Sequence, residues 1–277
     1  MPIPILYAGN EGVFDGVVIS SLSLVTYCRE PIEVYLFTMD LSDRDPRFLP
    51  ITEEMRAYLE SIYRRVNPAS RVHLCDVGAL YRATMLDSPN ATTGYTPYCF
   101  LRLFADRVPG LPDRLIYLDT DTVFCGNVAE LYATPLDGCE LAGVRDRYGH
   151  RFFGINYLNS GVLLLDLAAI RETRLFQRAL DACARKKIFL PDQTAINRAC
   201  RKKKILSRRF NEQKNPRTDT VIRHFSMTVR FFPRIRPFSV KPWQVDEVHR
   251  ILGEHRHDEI LFEYLNRKNE FPKRRNQ

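Results

Sequence analysis

No stretch of this 277-residue chain approaches the ~18 apolar residues that a membrane-spanning helix needs. An integral protein of the helical kind is therefore not expected. The opening, MPIPILYAGNEG, lacks a basic region ahead of its short apolar stretch, so neither a secretory signal nor a transit peptide is expected. Cysteine is present seven times but never in C-x-x-C spacing, and an odd, scattered set suits free thiols in a reducing compartment better than a disulfide framework. The expected location is the cytoplasm, and the sequon Asn90-Ala91-Thr92 is expected to be a polar loop and not a glycan acceptor. Internal repeats, low-complexity tracts and Gly/Ser linkers are also missing. One domain is expected, with composition that is ordinary for a globular protein at 45% hydrophobic and 11% aromatic residues.

Charge is absent in one sense and concentrated in another. Residues 1–200 carry 21 Lys+Arg against 24 Asp+Glu, residues 242–277 balance at 7 against 7, and residues 201–241 carry 13 against 2, which together make the net +8. The basic excess is one segment, suited to phosphates, an anionic membrane or nucleic acid.

Along the first two-thirds, short apolar runs at 3–8, 32–38, 71–77, 113–119, 140–144 and 161–167 read as strands. Segments 13–27, 52–66 and 98–108 have apolar residues at helical spacing, and Thr96 before Pro97 is a helix start. Near-continuous apolar strands separated by helices predict an α/β fold with a largely parallel sheet covered on both faces. Residues 168–201 read as mostly helical with a break at FLPDQ, where Pro191 ends one helix and Asp192 caps the next. Residues 245–266 read as a polar helix carrying His249, His255 and His257.

Asp119 and Asp121, in RLIYLDTDTVF, stand at the carboxyl end of a buried strand, where open α/β sheets bind ligands. Two carboxylates one residue apart can turn toward one hard divalent cation. The same residues can form an Asx-turn that merely ends the strand. Asp119-Thr120-Asp121-Thr122-Val123 also fits the D-x-D-x-[TV] signature of haloacid-dehalogenase-type phosphatases, with Asp119 as nucleophile. Against the phosphatase, at least four strands precede the pair and no acidic pair in a GD…D context follows. Further polar groups fall at element ends: Asn10, Asn159-Ser160, Asp192-Gln193 and His224. His224 offers an imidazole to complete a two-carboxylate, one-histidine set for Mn²⁺ or Mg²⁺, or it is a structural histidine after a strand. Arg102, in FLRLF, is either a snorkelling helix arginine or, given its apolar neighbours, an inward one at a pocket edge.

The stretches ILYAGNEGVFDGVVISSLSL, LRLFADRVPGLPDRLIYLDTDTVFCGNVAELY, NSGVLLLDLAAIR, LPDQTAIN and VIRHF…VKPW occur in an order that resembles family 8 glycosyltransferases, including bacterial lipopolysaccharide α-galactosyl- and α-glucosyltransferases. The resemblance runs from about Ile3 to Trp243 and implies a GT-A nucleotide-sugar-binding fold. It also implies a divalent cation, usually Mn²⁺, and transfer of glucose or galactose from a UDP-sugar with retention. By the same resemblance Asp119, Asp121 and His224 hold the metal, and Ala8 and Asn10 end the strand that holds uracil. Arg102 reaches the donor sugar, Asn159 and Ser160 form an N-[AS]-G turn lining its pocket, Asp192 and Gln193 flank the anomeric carbon, and Lys241 contacts the diphosphate. Thr120, between the two aspartates, joins the donor-binding set. The chain departs from the family at Asn10, often an aspartate, and between His224 and Lys241, where sixteen residues without glycine replace the usual short spacing. Arg230, Arg234 or Arg236 are candidates to share the role of Lys241.

The implied organisation is a catalytic domain over 1–244 with a helical tail over 245–277. The expected partners are a UDP-hexose and a glycan or lipid-linked acceptor. The cations and aromatics of 201–241, Phe231, Phe232, Phe238 and Trp243 among them, suit peripheral contact at the inner face of a membrane. No nucleic-acid module accompanies them, so a nucleic-acid partner is not expected. The rival functions are the phosphatase and a nucleotide-sugar- or membrane-binding protein without turnover.

Overall fold

The computed structural model describes residues 2–91, 96–230 and 236–271. Thr92, Phe231, Phe232 and Arg234 lie outside the described residues, as do the side chains of Arg230 and Arg236. The first half runs β1 (Ile3–Ala8), α1 (Phe14–Tyr27), β2 (Ile32–Thr38), α2 (Glu53–Val66), β3 (Arg71–Asp76) and α3 (Gly78–Met85). A 3-10 helix over Pro97–Phe104 then leads to β4 (Arg114–Leu118), β5 (Thr122–Phe124) and α4 (Ala129–Tyr132). Next come β6 (Leu141–Arg145), α5 (Gly149–Phe152), β7 (Leu158–Asp166), α6 (Leu167–Thr173), α7 (Leu175–Arg185) and α8 (Pro191–Ala199). The chain closes with β8 (Lys203–Ile205), β9 (Ile222–His224), β10 (Thr228–Arg230), β11 (Arg236–Phe238), α9 (Val245–Glu247), a π-helical turn over Val248–Leu252 and α10 (Asp258–Arg267).

Seven strands form one sheet in the order β3-β2-β1-β4-β7-β6-β8. Neighbours are parallel except that β7 runs antiparallel to both β4 and β6. The sheet is thus mixed but mostly parallel, as the apolar runs implied, with β7 the one reversed strand. A strand buried on both faces has the same continuous apolar pattern whichever way it points. Alternation assigns the faces: Ile5, Ile116 and Leu164 join α1, α2 and α10 in one core, while Leu6, Tyr117 and Leu163 join the 3-10 helix, α6, α7 and α8 in the other.

Local chemistry explains several elements. Thr52 caps α2 by accepting from the Met55 amide, acids occupy the first turn and arginines the last, in keeping with the helix dipole. The serines of α1 are buried and dock β5: Ser20 Oγ lies 3.1 Å from Thr122 Oγ1, and the Phe124 amide donates to Ser23 Oγ at 2.9 Å. Residues 98–108 were expected to be an ordinary helix; the structure winds Pro97–Phe104 as a tight 3-10 helix in which Arg102 Nε donates to the Cys99 carbonyl three residues back. Asn90 is fully buried and ties down the α7–α8 connection, donating to the Cys183 and Lys186 carbonyls and accepting from the Ile188 amide. It is a buried turn residue that acts as a structural plug.

The basic run after residue 200 is largely engaged with the protein itself. Lys204 meets Asp137 at 2.6 Å, Lys203 Nζ donates to Asn197, Lys202 Nζ to the Asp137 carbonyl, Arg208 pairs with Glu212 and Arg209 with Glu130.

The expected single helix over 245–266 is broken at Gly253, which adopts φ +61°. The turn that follows carries a buried ion cluster: Glu254 accepts from Arg223 Nε and Nη2 at 3.1 Å, and His257 Nε2 lies 3.0 Å from its other oxygen. Burial pushes the Glu254 carboxyl up, but His257 and Arg223 together outweigh it and hold it below the usual glutamate range. That stability is present above the ordinary value of 4.5 and is lost as pH falls through the lowered one. Glu254→Gln, which leaves the Arg223 charge buried and unpaired, is expected to cost about 3–5 kcal/mol at pH 7. Chemical denaturation should show the gap to wild type narrowing below pH 4.5; a change within ~0.5 kcal/mol at pH 7 would contradict the account.

Candidate functional site

The site forms where β1 and β4 end and the antiparallel β7 begins. Because β7 enters the sheet from the opposite side, its first residues lie against the carboxyl end of β4: the Asp119 amide donates to the Gly161 carbonyl at 2.7 Å. Asn159 and Ser160 therefore lie within strand β7 and not in the turn expected for them. Beyond Asp121 the chain enters β5, which pairs antiparallel with β9 in the register Thr122 with His224. That ladder carries His224 to the two aspartates from about a hundred residues away. Its Nε2 lies 3.2 Å from Asp121 Oδ1 and 3.6 Å from Asp119 Oδ2, and one ligand atom from each of the three residues falls within 4.8 Å of the others.

The surroundings fix each group. Asp119 Oδ1 accepts from Arg102 Nη2 and from the Tyr117 hydroxyl, both at 2.8 Å, which leaves Oδ2 facing the histidine. Arg102 is buried and also donates to the Ser160 carbonyl at 2.6 Å, with its guanidinium 4.1 Å above the Tyr117 ring. Burial works against its charge, yet Asp119, Tyr117 and Asp192 raise its pKa above that of a free arginine. The snorkelling alternative is excluded, and the guanidinium points at Asp119.

Asp121 is buried, which disfavours its charge, but Lys241 and then His224 hold its carboxyl well below the ordinary range. Lys241 Nζ sits 2.5 Å from Asp121 Oδ2. Burial lowers the lysine pKa and Asp121 more than restores it. The structure thus brings Lys241 to the aspartate pair despite the stretched spacing from His224. The tautomer of His224 is set by Asn211: its Nδ2 donates to Asn159 Oδ1 at 2.9 Å, so its Oδ1, 3.1 Å from His224 Nδ1, receives the ring proton. Nε2 faces the carboxylates. A hydrogen bond to the far ring nitrogen orients a metal-binding histidine in this way.

Asp192 and Gln193 sit in the first turn of α8, whose preceding residue Leu190, and not Asp192, occupies the cap position in a left-handed conformation. Asp192 Oδ2 accepts from Ser160 Oγ at 3.3 Å and lies 3.5 Å from Arg102 Nη2. Burial raises its carboxyl pKa against the pull of Arg102. Gln193 Oε1 accepts from the Ser160 amide at 3.0 Å, and its Nε2 donates to Asp146 Oδ2 at 3.2 Å. Ala8 ends β1, and Asn10 donates to the Arg47 carbonyl at 3.1 Å, tying the strand end to the loop after β2. Thr120 lies beside Gly9, so the end of β1 adjoins the aspartates.

Asp146 and Asn211 escaped the sequence reading. Asp146 follows β6, parallel to β4, so the rule that strand carboxyl ends bear ligands marks it; Asn211, in RRFNEQ, carries no local signal. Both line a cleft of about 330 Å³ that also exposes Arg145, Arg147, Arg208 and Lys214.

The donor set of two carboxylates and one imidazole suits Mn²⁺ or Mg²⁺ with room for further oxygen ligands. Residues 4–244 match the family profile described as glycosyl transferase family 8. The chain belongs to this family. In this family 8 chain, 197 residues, 70% of the length, are 28% identical to the glycosyltransferase GlyA of Streptococcus pneumoniae serotype 4 (strain ATCC BAA-334 / TIGR4), a quarter (25%) of which is covered. A further 111-residue match is 33% identical to the lipopolysaccharide 1,2-glucosyltransferase of Escherichia coli (strain K12), with 35% of this chain and 33% of that protein aligned. The chain therefore spans a quarter to a third of these curated relatives. Among solved structures, the galactosyltransferase LgtC in complex with donor and acceptor sugar analogues superposes with a TM-score of 0.69 at 17% identity, over 95% of this chain and 96% of that one. The glycosyltransferase GlyE of Streptococcus pneumoniae TIGR4 superposes at 0.63 and 17% identity, over 100% and 67%. The family 8 chain thus has the GT-A fold. No helix among its described residues is long and apolar enough to cross a membrane.

Proposed function

We propose that the protein transfers a hexose, glucose or galactose, from a UDP-sugar to a glycan or lipid-linked acceptor, with retention at the anomeric carbon. The observation that carries the reading is the convergence of Asp119, Asp121 and His224, each held by its own partner, at the carboxyl end of β4. These three would hold a divalent cation, Mn²⁺ or Mg²⁺, which when bound supplies Lewis-acid stabilisation of the departing diphosphate.

The remaining roles belong to the chain's own side chains. Lys241, beside Asp121, provides a second positive charge for the diphosphate oxygens. Ala8, Asn10 and Thr120 border the place for the uridine, and Arg102 acts by fixing Asp119 and Ser160. Asn159, Ser160 and Asp192 present polar atoms to the sugar. The Gln193 carbonyl oxygen already accepts from the Ser160 amide, and an amide is a poor covalent nucleophile. A front-face route is therefore favoured, in which the acceptor hydroxyl attacks from the side the leaving group departs. Asp192 positions hydroxyls on this route, and the cleft lined by Asp146 and Asn211 is the approach for the acceptor. Because the cations of 202–209 are engaged with the protein, any contact with an anionic membrane at its inner face is assigned to residues 225–241. The domain division is proposed as 1–244 for the transferase core and 245–277 for a helical tail that packs Leu261 and Tyr264 into the same core as α1.

UDP release from a panel of UDP-sugars with Mn²⁺, with Mg²⁺ and with EDTA tests the reading. Turnover of UDP-glucose or UDP-galactose that EDTA abolishes is expected. Phosphate release from simple esters without UDP release would favour the phosphatase, and tight UDP binding without turnover a silent binder. Asp192→Asn is expected to lower kcat about a hundredfold while leaving UDP affinity within about threefold, since it touches sugar and not nucleotide. An unchanged kcat would remove Asp192 from the sugar site.

A further inference from the structure

A second convergence of metal-binding groups lies on the other side of β9, away from the aspartate pair and sharing no residue with it. His249 from the π-helical turn, His255 from the following loop and Asp258 at the first position of α10 each direct a ligand atom to one point, all within 4.8 Å of one another. His249 Nε2 lies 2.7 Å from Asp258 Oδ1, and His255 Nδ1 lies 3.3 Å from Asp258 Oδ2. The two imidazoles face each other, centroids 4.5 Å apart and planes 24° from parallel. Each ring meets one oxygen of the same carboxylate, an arrangement that one cation can take over. If both rings were protonated, their like charges would oppose this spacing; one shared cation satisfies all three groups.

We propose that His249, His255 and Asp258 form a second metal site, selective for a zinc-class transition ion. Two imidazoles and one carboxylate favour Zn²⁺, Ni²⁺ or Cu²⁺ over the hard cations suited to the first site. Ligand atoms around a tetrahedral zinc stand roughly 3.3 Å apart; the His255–Asp258 separation is 3.3 Å and the His249–Asp258 one is shorter at 2.7 Å, and three protein ligands leave one position for water. His255 is largely exposed, with 64% of its side chain accessible, so the ion has an open path.

The site's place in the fold assigns it a task. His249 precedes the turn from Gly253 to His257, His255 lies within it and Asp258 follows it; the turn starts where the Gly253 amide donates to the His249 carbonyl. That turn carries Glu254, which holds Arg223, and Arg223 Nη1 donates to the His224 carbonyl at 2.6 Å. A bound ion clips the π-helical turn to the start of α10 and so stiffens the support behind His224. The occupant is thus a structural ion, and it stands whether or not the sugar-transfer reading does.

The test uses the full chain and Zn²⁺ alone, by calorimetry and equilibrium dialysis. Wild type is expected to take up two ions per chain, His255→Asn one, Asp121→Asn one, and the double variant none. In the Asp121→Asn background, Co²⁺ should give the visible bands of a tetrahedral centre that His255→Asn or His249→Gln abolishes, with affinity at least tenfold weaker. Zn²⁺ should raise the melting temperature of Asp121→Asn and not that of the double variant. Equal uptake by wild type and His255→Asn, or no uptake by Asp121→Asn, overturns the proposal. Mn²⁺-dependent UDP release by His255→Asn reports on the first site separately, so the two readings fail independently.

Discussion

Replacing Asp121 with asparagine is expected to lower metal-dependent UDP release about a thousandfold, the upper end of what one charge-stabilising group at a reacting centre contributes. The side chain keeps its shape and loses its charge. Asp121 is buried, lies 3.2 Å from His224 Nε2 and 2.5 Å from Lys241 Nζ, and its carboxyl is held ionised against burial. An amide there removes one of two anionic ligands and leaves Lys241 repelling the incoming cation without a counter-charge. Mn²⁺ affinity should therefore fall together with kcat, and saturating Mn²⁺ should restore only part of the rate. Single-turnover UDP release combined with an Mn²⁺ titration separates the two effects. A loss smaller than tenfold at saturating metal would count against Asp121 as a ligand.

A comparable loss is expected from adding a single methyl group at Gly161. A Cβ there would stand 2.2 Å from His224 Cε1 and 2.7 Å from Asp119 Oδ2, inside any real contact distance. The backbone is held in place there, because the Gly161 carbonyl accepts from the Asp119 amide and the ladder to β4 begins at the next residue. The imidazole must give way, and with it the register of Nε2 against both carboxylates. Gly161→Ala should thus abolish most Mn²⁺-dependent turnover while costing only about 1–3 kcal/mol of stability, the range for overpacking. Because the damage passes through His224, Gly161→Ala and His224→Ala should be strongly non-additive, the double variant being little worse than either. Multiplicative losses would show that Gly161 acts by another route.

Several features of this chain are legible from residues alone because their signals are local. Alternation and apolar runs place β1, β2, β3, β4 and β6 within a residue or two, and helical spacing places α2. The D-x-D declares itself by standing where a buried strand ends. The winding of Pro97–Phe104 and the start of β7 at Leu158 were not legible: packing, not periodicity, sets the first, and pairing with two neighbours sets the second.

Local residue patterns settle the α/β class, the order of the five motifs and the candidacy of Asp119, Asp121 and His224. Only the tertiary structure decided that β7 runs antiparallel, which lays Asn159, Ser160 and Gly161 against Asp119. It alone supplied the β5–β9 ladder that delivers His224, the Asn211 contact that sets its tautomer, and the seat of Lys241 on Asp121. It likewise brought His255 and His249 together on Asp258. Strand direction and long-range pairing minimise the free energy of the whole packed chain, and a choice made between segments a hundred residues apart leaves no periodicity within either of them.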